Sequence, residues 1–121
     1  LSCVISDATY PTEGQLHPRV CGNVTHLLEH FVREKQALSW ESAVHKLTAR
    51  PASVLHLAGK GQLAVGYDAD ICVFAPEALH EQATYTQPQQ ISQGMTHVLV
   101  NGAFAIRNGA LTGTESGKLL H

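Results

Sequence analysis

The stretch GQLAVGYDADICVF, residues 61–74, decides the fold, because the sequence pattern changes there from helical to extended. Residues 62–64 predict a short strand and residues 66–68, Gly-Tyr-Asp, predict a turn. Residues 70–74 form a short apolar run that is typical of a buried strand, and Pro76 ends it. The stretch therefore marks the point where a helical region gives way to a β-rich one.

A buried strand followed by a loop is predicted at the start of the chain. Residues 2–6 are apolar and β-prone, and Asp7 with the polar run at 10–14 marks the loop that follows, which continues to about Gly22. The apolar run is already under way at Leu1, without an initiator methionine. We therefore expect the chain to begin part-way through a fold.

Three short helices are predicted between this loop and residue 61. Apolar residues recur at helical spacing from Asn23, a suitable N-cap, to Lys35 near the end of the first helix. Ser39 is expected to cap a second helix. Pro51 suits the first turn of a third helix, which should end near Gly59.

The last third of the chain predicts a β-meander. Two apolar runs, residues 97–100 and 103–106, flank Asn101-Gly102, and a second Asn-Gly pair follows at 108–109. An Asn-Gly pair between apolar runs is the strongest short hairpin pattern. The preceding stretch, residues 77–93, is polar and rich in glutamine, which favours an exposed connection.

Composition limits the class of protein. With 121 residues, 44% of them hydrophobic, the chain is long enough for one compact domain and too short for a complete (β/α)8 barrel. A formal charge of −2, with eight scattered Lys and Arg residues, argues against binding to nucleic acid or an anionic membrane. A small molecule or a protein is the expected partner.

Cysteine usage and hydropathy bear on location. Cys3, Cys21 and Cys72 are odd in number and widely spaced, so they are expected to be small buried residues rather than a disulfide framework. No stretch reaches the roughly 18 to 20 apolar residues of a membrane span, and no targeting segment is evident. A cytoplasmic location is expected.

Several motifs resemble the metal-dependent amidohydrolases. Residues 61–74 resemble the stretch in which such chains leave the barrel and rejoin a small β-domain. Ser6-Asp7, the His17-Pro18-Arg19 motif, and the close formed by residues 97–102 and 109–113 are similar to the D-aminoacylase, or N-acyl-D-amino-acid deacylase, branch. Together these motifs cover almost the whole chain.

The resemblance implies an α/β fold that is the C-terminal fragment of a (β/α)8 barrel. Residues 1–60 would then be the end of the barrel domain, with residues 1–7 as the eighth strand. Residues 61–121 would be the C-terminal part of a small β-sandwich. Ala8 and Cys21 depart from the family pattern, in which a glycine and an aromatic residue are usual.

The resemblance also implies a chemistry, the zinc-dependent hydrolysis of the amide bond of N-acyl-D-amino acids. Asp7 matches the general base at the end of the eighth strand, where barrel enzymes place their chemistry. Arg19 matches the residue that holds the substrate α-carboxylate, for which a guanidinium is well suited. His17 is a secondary candidate for substrate binding, and Asp7 is a weaker candidate for binding metal.

The metal-binding histidines of the family lie on earlier strands that these residues do not include. The chain alone is therefore expected to lack both zinc and activity, and the rest of the barrel or self-association would have to complete it. An alternative is a non-catalytic packing or assembly module whose exposed apolar surface a partner covers.

A third hypothesis is a zinc peptidase. His26-Leu27-Leu28-Glu29-His30 matches the H-x-x-E-H pattern, which needs two imidazoles on one helix face beside a carboxylate. The apolar face of this helix is expected at residues 24, 28, 31 and 35, opposite the two histidines. An exposed helix face is therefore the favoured interpretation.

Other polar residues have ordinary explanations. Asp7 alone would commonly be a turn or capping residue, and Arg19 alone a surface ion pair. Asp68 and Asp70 are explained by turn formation. Cys72 lies between apolar neighbours and is expected to pack in the core.

Overall fold

A computed structural model describes residues 2–10 and 14–120. Four helical elements, the first two continuous, precede the first strand in the described residues. The elements are α1 (Arg19–His26), a π-helical segment (Leu27–Glu34) that continues it, α2 (Trp40–Leu47), α3 (Ala49–Val54), β1 (Ile71–Phe74), a 3-10 turn (Pro76–Ala78), β2 (Met95–Val100), β3 (Ala103–Arg107) and β4 (Ala110–Leu111). In the part of the chain that the structure describes, no helix is long and apolar enough to cross a membrane.

The four strands form one antiparallel meander in the order β1-β2-β3-β4. Asn101 and Gly102, with φ of 48° and 79°, form the turn between β2 and β3. Asn108 and Gly109 repeat this left-handed conformation between β3 and β4, with φ of 52° and 77°. Asparagine and glycine tolerate positive φ better than other residues, so the predicted hairpins are confirmed.

One core joins the helices to the first half of the sheet. The buried residues Leu28, Val32, Ala43 and Leu79 form its centre, and half-buried Leu38, Trp40, Leu47, Phe74 and Met95 pack around them. Trp40 from α2 and Phe74 from β1 bring their ring centroids to 6.1 Å. The helical and β-rich regions are thus packed against each other.

The first helix differs from the prediction in its start and in its buried face. It begins at Arg19 rather than Asn23, and Pro18, whose ring fixes φ, stands at the N-cap. Its buried residues are Gly22, Thr25, Leu28 and Val32, whereas Val24 and Phe31 are exposed. Leu28 lies on the predicted apolar face and is buried, but the prediction was wrong for Val24 and Phe31.

The second and third helices follow the predictions at their starts. The Ser39 side chain accepts a hydrogen bond from the Ser42 amide at 3.2 Å, which confirms its cap. Pro51 lies in the first turn of α3 as predicted. That helix ends at Val54 rather than near Gly59, because His56 adopts a left-handed φ of 54°.

Two predicted strands are wrong. Residues 2–10 contain no strand, Ile5 is 71% exposed, and the Val4 amide donates to the Lys46 carbonyl at 3.1 Å. Residues 62–64 also form no strand, and Leu63 is exposed, although the turn at 66–68 is present. A strand forms only where a neighbour pairs with it, and in the described residues neither segment has one.

The glutamine-rich connection, residues 77–93, is only partly exposed as predicted. Leu79 is fully buried and Ala83 is buried. His80 and Gln93 exchange two backbone hydrogen bonds, at 3.2 and 2.9 Å. The connection is therefore attached to the core at several points.

The cysteines also differ from the prediction. Within the described residues all three are free, but Cys21 and Cys72 are exposed and only Cys3 is half-buried. Cys72 lies on β1, an edge strand whose middle residues face solvent. The expected core packing of Cys72 was thus wrong.

Candidate functional site

Asp7 presents an accessible carboxylate from an irregular loop. Its backbone φ is 46°, in the left-handed region that Asp and Asn tolerate better than most side chains. The side chain is 77% exposed. A carboxylate in this setting is available to a ligand or to water.

Arg19 lies opposite Asp7 at the first residue of α1. Its Nη2 atom is 3.5 Å from Oδ2 of Asp7, so residues 12 positions apart in sequence meet in space. The side chain is 39% exposed, but its Nε atom is buried without a hydrogen-bond partner in the described part of the chain. Buried polar atoms normally have partners, so this guanidinium keeps an unused donor.

His17 supports Arg19 through the backbone. Its Nδ1 accepts a hydrogen bond from the Arg19 amide at 3.0 Å, satisfying one of the free amides at the start of α1. Its Nε2 lies 3.2 Å from Oη of Tyr85, and the two rings meet edge to face at a centroid distance of 5.1 Å. With Nδ1 as acceptor, we assign the ring proton to Nε2, which then donates to Tyr85.

The structure therefore brings Asp7 and Arg19 together and turns the His17 imidazole toward Tyr85. The sequence reasoning did not identify Tyr85. The pattern that could have drawn attention to it is a lone aromatic residue within a polar, glutamine-rich stretch.

The described residues do not by themselves form a metal centre. Across residues 2–10 and 14–120 there is no group of three His, Cys, Asp or Glu side chains placed to hold a metal ion. The Asp7 carboxylate faces the Arg19 cation instead.

Comparison with known proteins identifies the family. A model of the amidohydrolase family matches residues 6–106, which contain Asp7, His17 and Arg19. This chain belongs to the amidohydrolase family.

Two curated relatives from Alcaligenes xylosoxydans xylosoxydans are deacylases. An N-acyl-D-glutamate deacylase is 43% identical over 83% of this chain and 20% of its own length. A D-aminoacylase is 37% identical over 91% of this chain and 23% of its own length. The chain thus spans about a fifth of the length of these relatives.

Solved structures give the same result. A crystal structure of D-aminoacylase superposes with a TM-score of 0.86 and 34% identity, covering 93% of this chain and 23% of that one. The N-acyl-D-glutamate deacylase of Bordetella bronchiseptica, complexed with zinc and a phosphonate inhibitor, superposes with a TM-score of 0.81 and 37% identity over 90% of this chain and 24% of that one. The resemblance to the D-aminoacylase branch is confirmed.

The H-x-x-E-H motif of this amidohydrolase chain has other contacts. His26 Nδ1 lies 2.6 Å from Glu81 Oε2, and His30 Nδ1 lies 2.9 Å from Glu34 Oε2. Glu29, the would-be base, accepts from Arg33 Nη2 and His80 Nδ1, each at 2.8 Å. The two histidines are partly exposed, as predicted, and Glu29 is turned away from solvent.

Glu29 is the best-satisfied carboxylate of the chain's helical region. Burial alone would raise its pKa, but the Glu81 amide at 2.6 Å, His80 and Arg33 outweigh burial and hold the pKa below its ordinary value. Arg33 also donates from Nη1 to the carbonyls of Pro76 and Leu79, at 3.0 and 2.6 Å. These contacts tie the helix to the glutamine-rich connection.

Asp68 and Asp70 make structural contacts at the start of the β-rich region. Asp70 Oδ1 accepts from the Asn101 amide at 2.8 Å, and its Oδ2 lies 2.5 Å from Nζ of Lys60. The Asn101 amide first and Lys60 second lower the pKa of Asp70. Asp68 pairs with the same lysine at 3.0 Å. Both aspartates have structural partners at the turn, as predicted.

Proposed function

We propose that this chain is part of a zinc-dependent amidohydrolase that removes the acyl group from N-acyl-D-amino acids. The observation that carries the proposal is the approach of Arg19 to Asp7, 3.5 Å, inside the stretch that matches the family. In the complete enzyme, residues 1–60 would be the end of the barrel and residues 61–121 the C-terminal part of the β-sandwich.

Asp7 is the proposed general base. Its exposed carboxylate is free to accept a proton from the water that attacks the amide carbonyl carbon, and it can return that proton to the departing amine. Arg19 Nη2 lies 3.5 Å from this carboxylate, so the proposed base and the proposed clamp lie side by side.

Arg19 is the proposed clamp for the α-carboxylate of the substrate. A guanidinium has five donors and can bind a carboxylate with two parallel hydrogen bonds. In the structure Nη2 approaches Asp7 and the side chain is 39% exposed, so part of the guanidinium remains open to a substrate carboxylate. His17 contributes by holding the Arg19 backbone rather than by binding substrate directly.

We propose zinc as the metal of the complete enzyme. The Bordetella bronchiseptica deacylase carries zinc, whereas the described residues of this chain form no metal cluster. We therefore assign the principal ligands to other parts of the enzyme, and expect this chain alone to be inactive.

The activity is tested by assaying the full-length enzyme that carries this chain against N-acyl-D-amino acids, their L enantiomers and N-acyl amines. Hydrolysis that prefers D substrates with an α-carboxylate is expected. Equal rates on all three classes would contradict the proposal.

The clamp is tested with Arg19→Lys, which keeps the charge and removes the planar fork. The KM for N-acyl-D-amino acids should rise about tenfold or more, with a smaller change in kcat. Arg107→Lys, on β3, is the matched control and should leave KM unchanged. An unaltered KM in Arg19→Lys would exclude Arg19 as the clamp.

A further inference from the structure

We infer that Tyr85 is a positioning residue for the Arg19 clamp, so that the C-terminal region helps to set the affinity for the substrate carboxylate. This inference rests on the proposed function. Tyr85 and His17 lie 68 positions apart in sequence, in the two regions that the fold packs together. Tyr85 does not need to touch the substrate to act in this way.

Tyr85 contacts the loop just before α1 through both its side chain and its backbone. Its Oη lies 3.2 Å from Nε2 of His17, and its ring meets the imidazole edge to face at an interplanar angle of 76°. Its backbone carbonyl accepts a hydrogen bond from the side chain of Gln15. One residue of the connection therefore contacts residues 15 and 17, immediately before Arg19.

The His17 imidazole connects Tyr85 to Arg19. His17 Nδ1 accepts from the Arg19 amide at 3.0 Å, and the His17 carbonyl accepts from the Val20 amide at 3.1 Å. The Tyr85 hydroxyl accepts a hydrogen bond from Nε2–H, which keeps Nδ1 unprotonated and able to act as an acceptor. Without that hydroxyl, the ring can rotate or take the other tautomer, and Arg19 loses its cap.

Tyr85 is itself held in place. Ala83, two residues earlier, is buried. The Thr84 amide donates to the Gln87 carbonyl at 3.1 Å, and the Gln87 amide donates to Thr84 Oγ1 at 3.0 Å, forming a tight turn around Tyr85. Farther along, Ser92 Oγ donates to the Cys21 carbonyl at 3.4 Å. The connection is thus anchored on either side of the tyrosine.

The test is Tyr85→Phe in the full-length enzyme, which keeps the ring contact and removes only the hydroxyl. For N-acyl-D-amino acids we expect KM to rise about threefold to tenfold, the range for losing one hydrogen bond, with kcat within about twofold. Tyr67→Phe, in the turn at residues 66–68, is the matched control and should behave as wild type.

The substrate series separates positioning from general damage. In the corresponding N-acyl-D-amino-acid amides, a carboxamide replaces the α-carboxylate, so Tyr85→Phe should leave their KM nearly unchanged. An equal rise for acids and amides would overturn the inference, because the hydroxyl would then act on the whole site. Combining Tyr85→Phe with His17→Ala should add little to His17→Ala alone, and full additivity would also overturn it.

Arg19→Lys distinguishes failure of this inference from failure of the proposed function. If Arg19→Lys raises KM while Tyr85→Phe leaves it unchanged, Arg19 remains the clamp and the role of Tyr85 is disproved. If neither variant changes KM, the proposed clamp and the inference both fail.

Discussion

Two parts of this chain make opposite use of their charged groups. In the helix-connection junction, formed by Glu29, Arg33, Leu79 and His80, the carboxylate of Glu29 is 13% exposed and accepts from three donors. In the site loop, formed by Asp7, His17 and Arg19, the Asp7 carboxylate is 77% exposed with one ion pair at 3.5 Å. Within the described residues, most of the hydrogen-bonding capacity of the Glu29 carboxylate is therefore used, and most of that of the Asp7 carboxylate is not.

The difference indicates which region stabilises the fold and which is available for chemistry. A half-buried carboxylate that accepts from three donors fixes one arrangement of the helix and the connection. An exposed carboxylate beside a partly exposed guanidinium contributes little to stability and remains accessible to a ligand. The junction therefore supports the connection, and the connection supports the loop through Tyr85.

The largest effect on stability is expected at the centre of the junction. Leu79→Ala removes a fully buried side chain, and the resulting cavity should lower the free energy of unfolding by about 2–5 kcal/mol. Denaturant unfolding of the full-length enzyme measures this loss. Leu111→Ala, at a position 71% exposed, should change it by less than about 0.5 kcal/mol. Equal losses would show that the junction is not the stabilising region.

A smaller loss is expected when the junction loses its charge. Glu29→Gln leaves Arg33 and His80 facing a neutral amide, and should lower the free energy of unfolding by about 1–3 kcal/mol. Glu34→Gln, at a carboxylate 52% exposed that pairs with His30, is the control and should cost less than about 1 kcal/mol. Equal losses in the two variants would show that the exposed pair stabilises the fold as much as the half-buried pair does.

The same carboxylate predicts a pH dependence. The pKa of Glu29 in the folded protein lies below its ordinary value of 4.5, so the unfolded state takes up the proton first. The stabilisation is therefore complete above that ordinary pKa and is lost as pH falls through the lower folded pKa. The difference in free energy of unfolding between wild type and Glu29→Gln should therefore begin to shrink as the pH falls below about 4.5. A difference that stays constant across the acid range would exclude this dependence.

The smallest effect concerns a contact outside both regions. Ser39→Ala removes the side-chain cap of α2, whose Oγ accepts from the Ser42 amide at 3.2 Å, and should cost about 1 kcal/mol. Ser53→Ala in α3 removes an exposed hydroxyl and should be nearly neutral. Catalysis should be unchanged in both variants, because neither serine belongs to the site loop or the junction.

Features encoded by neighbouring residues could be predicted from the sequence. The Asn-Gly turns and the Ser39 cap depend on two to four adjacent residues, and both were confirmed. The strand predicted at residues 2–6 was wrong because a strand also needs a pairing partner, which periodicity does not supply. The burial of Leu79 was missed because the apolar residues of this polar stretch recur at neither helical nor strand spacing.

Local sequence patterns also could not predict the contacts of the functional site. The expected roles of Asp7 and Arg19 came from a family resemblance, and spacing alone would not have placed them 3.5 Å apart. Tyr85 was missed because its partner, His17, is 68 positions away. Long-range contacts of this kind depend on how two regions pack, which local sequence patterns do not encode.

The most direct test of the account is kcat of Asp7→Asn in the full-length enzyme on an N-acyl-D-amino acid. Asparagine tolerates the left-handed φ of 46° at this position, so the variant should fold normally while losing the base. Asp68→Asn, at an aspartate paired with Lys60, is the matched control. The account predicts a fall in kcat of at least about 10²-fold for Asp7→Asn and little change for Asp68→Asn. A kcat for Asp7→Asn within a few-fold of wild type would contradict it.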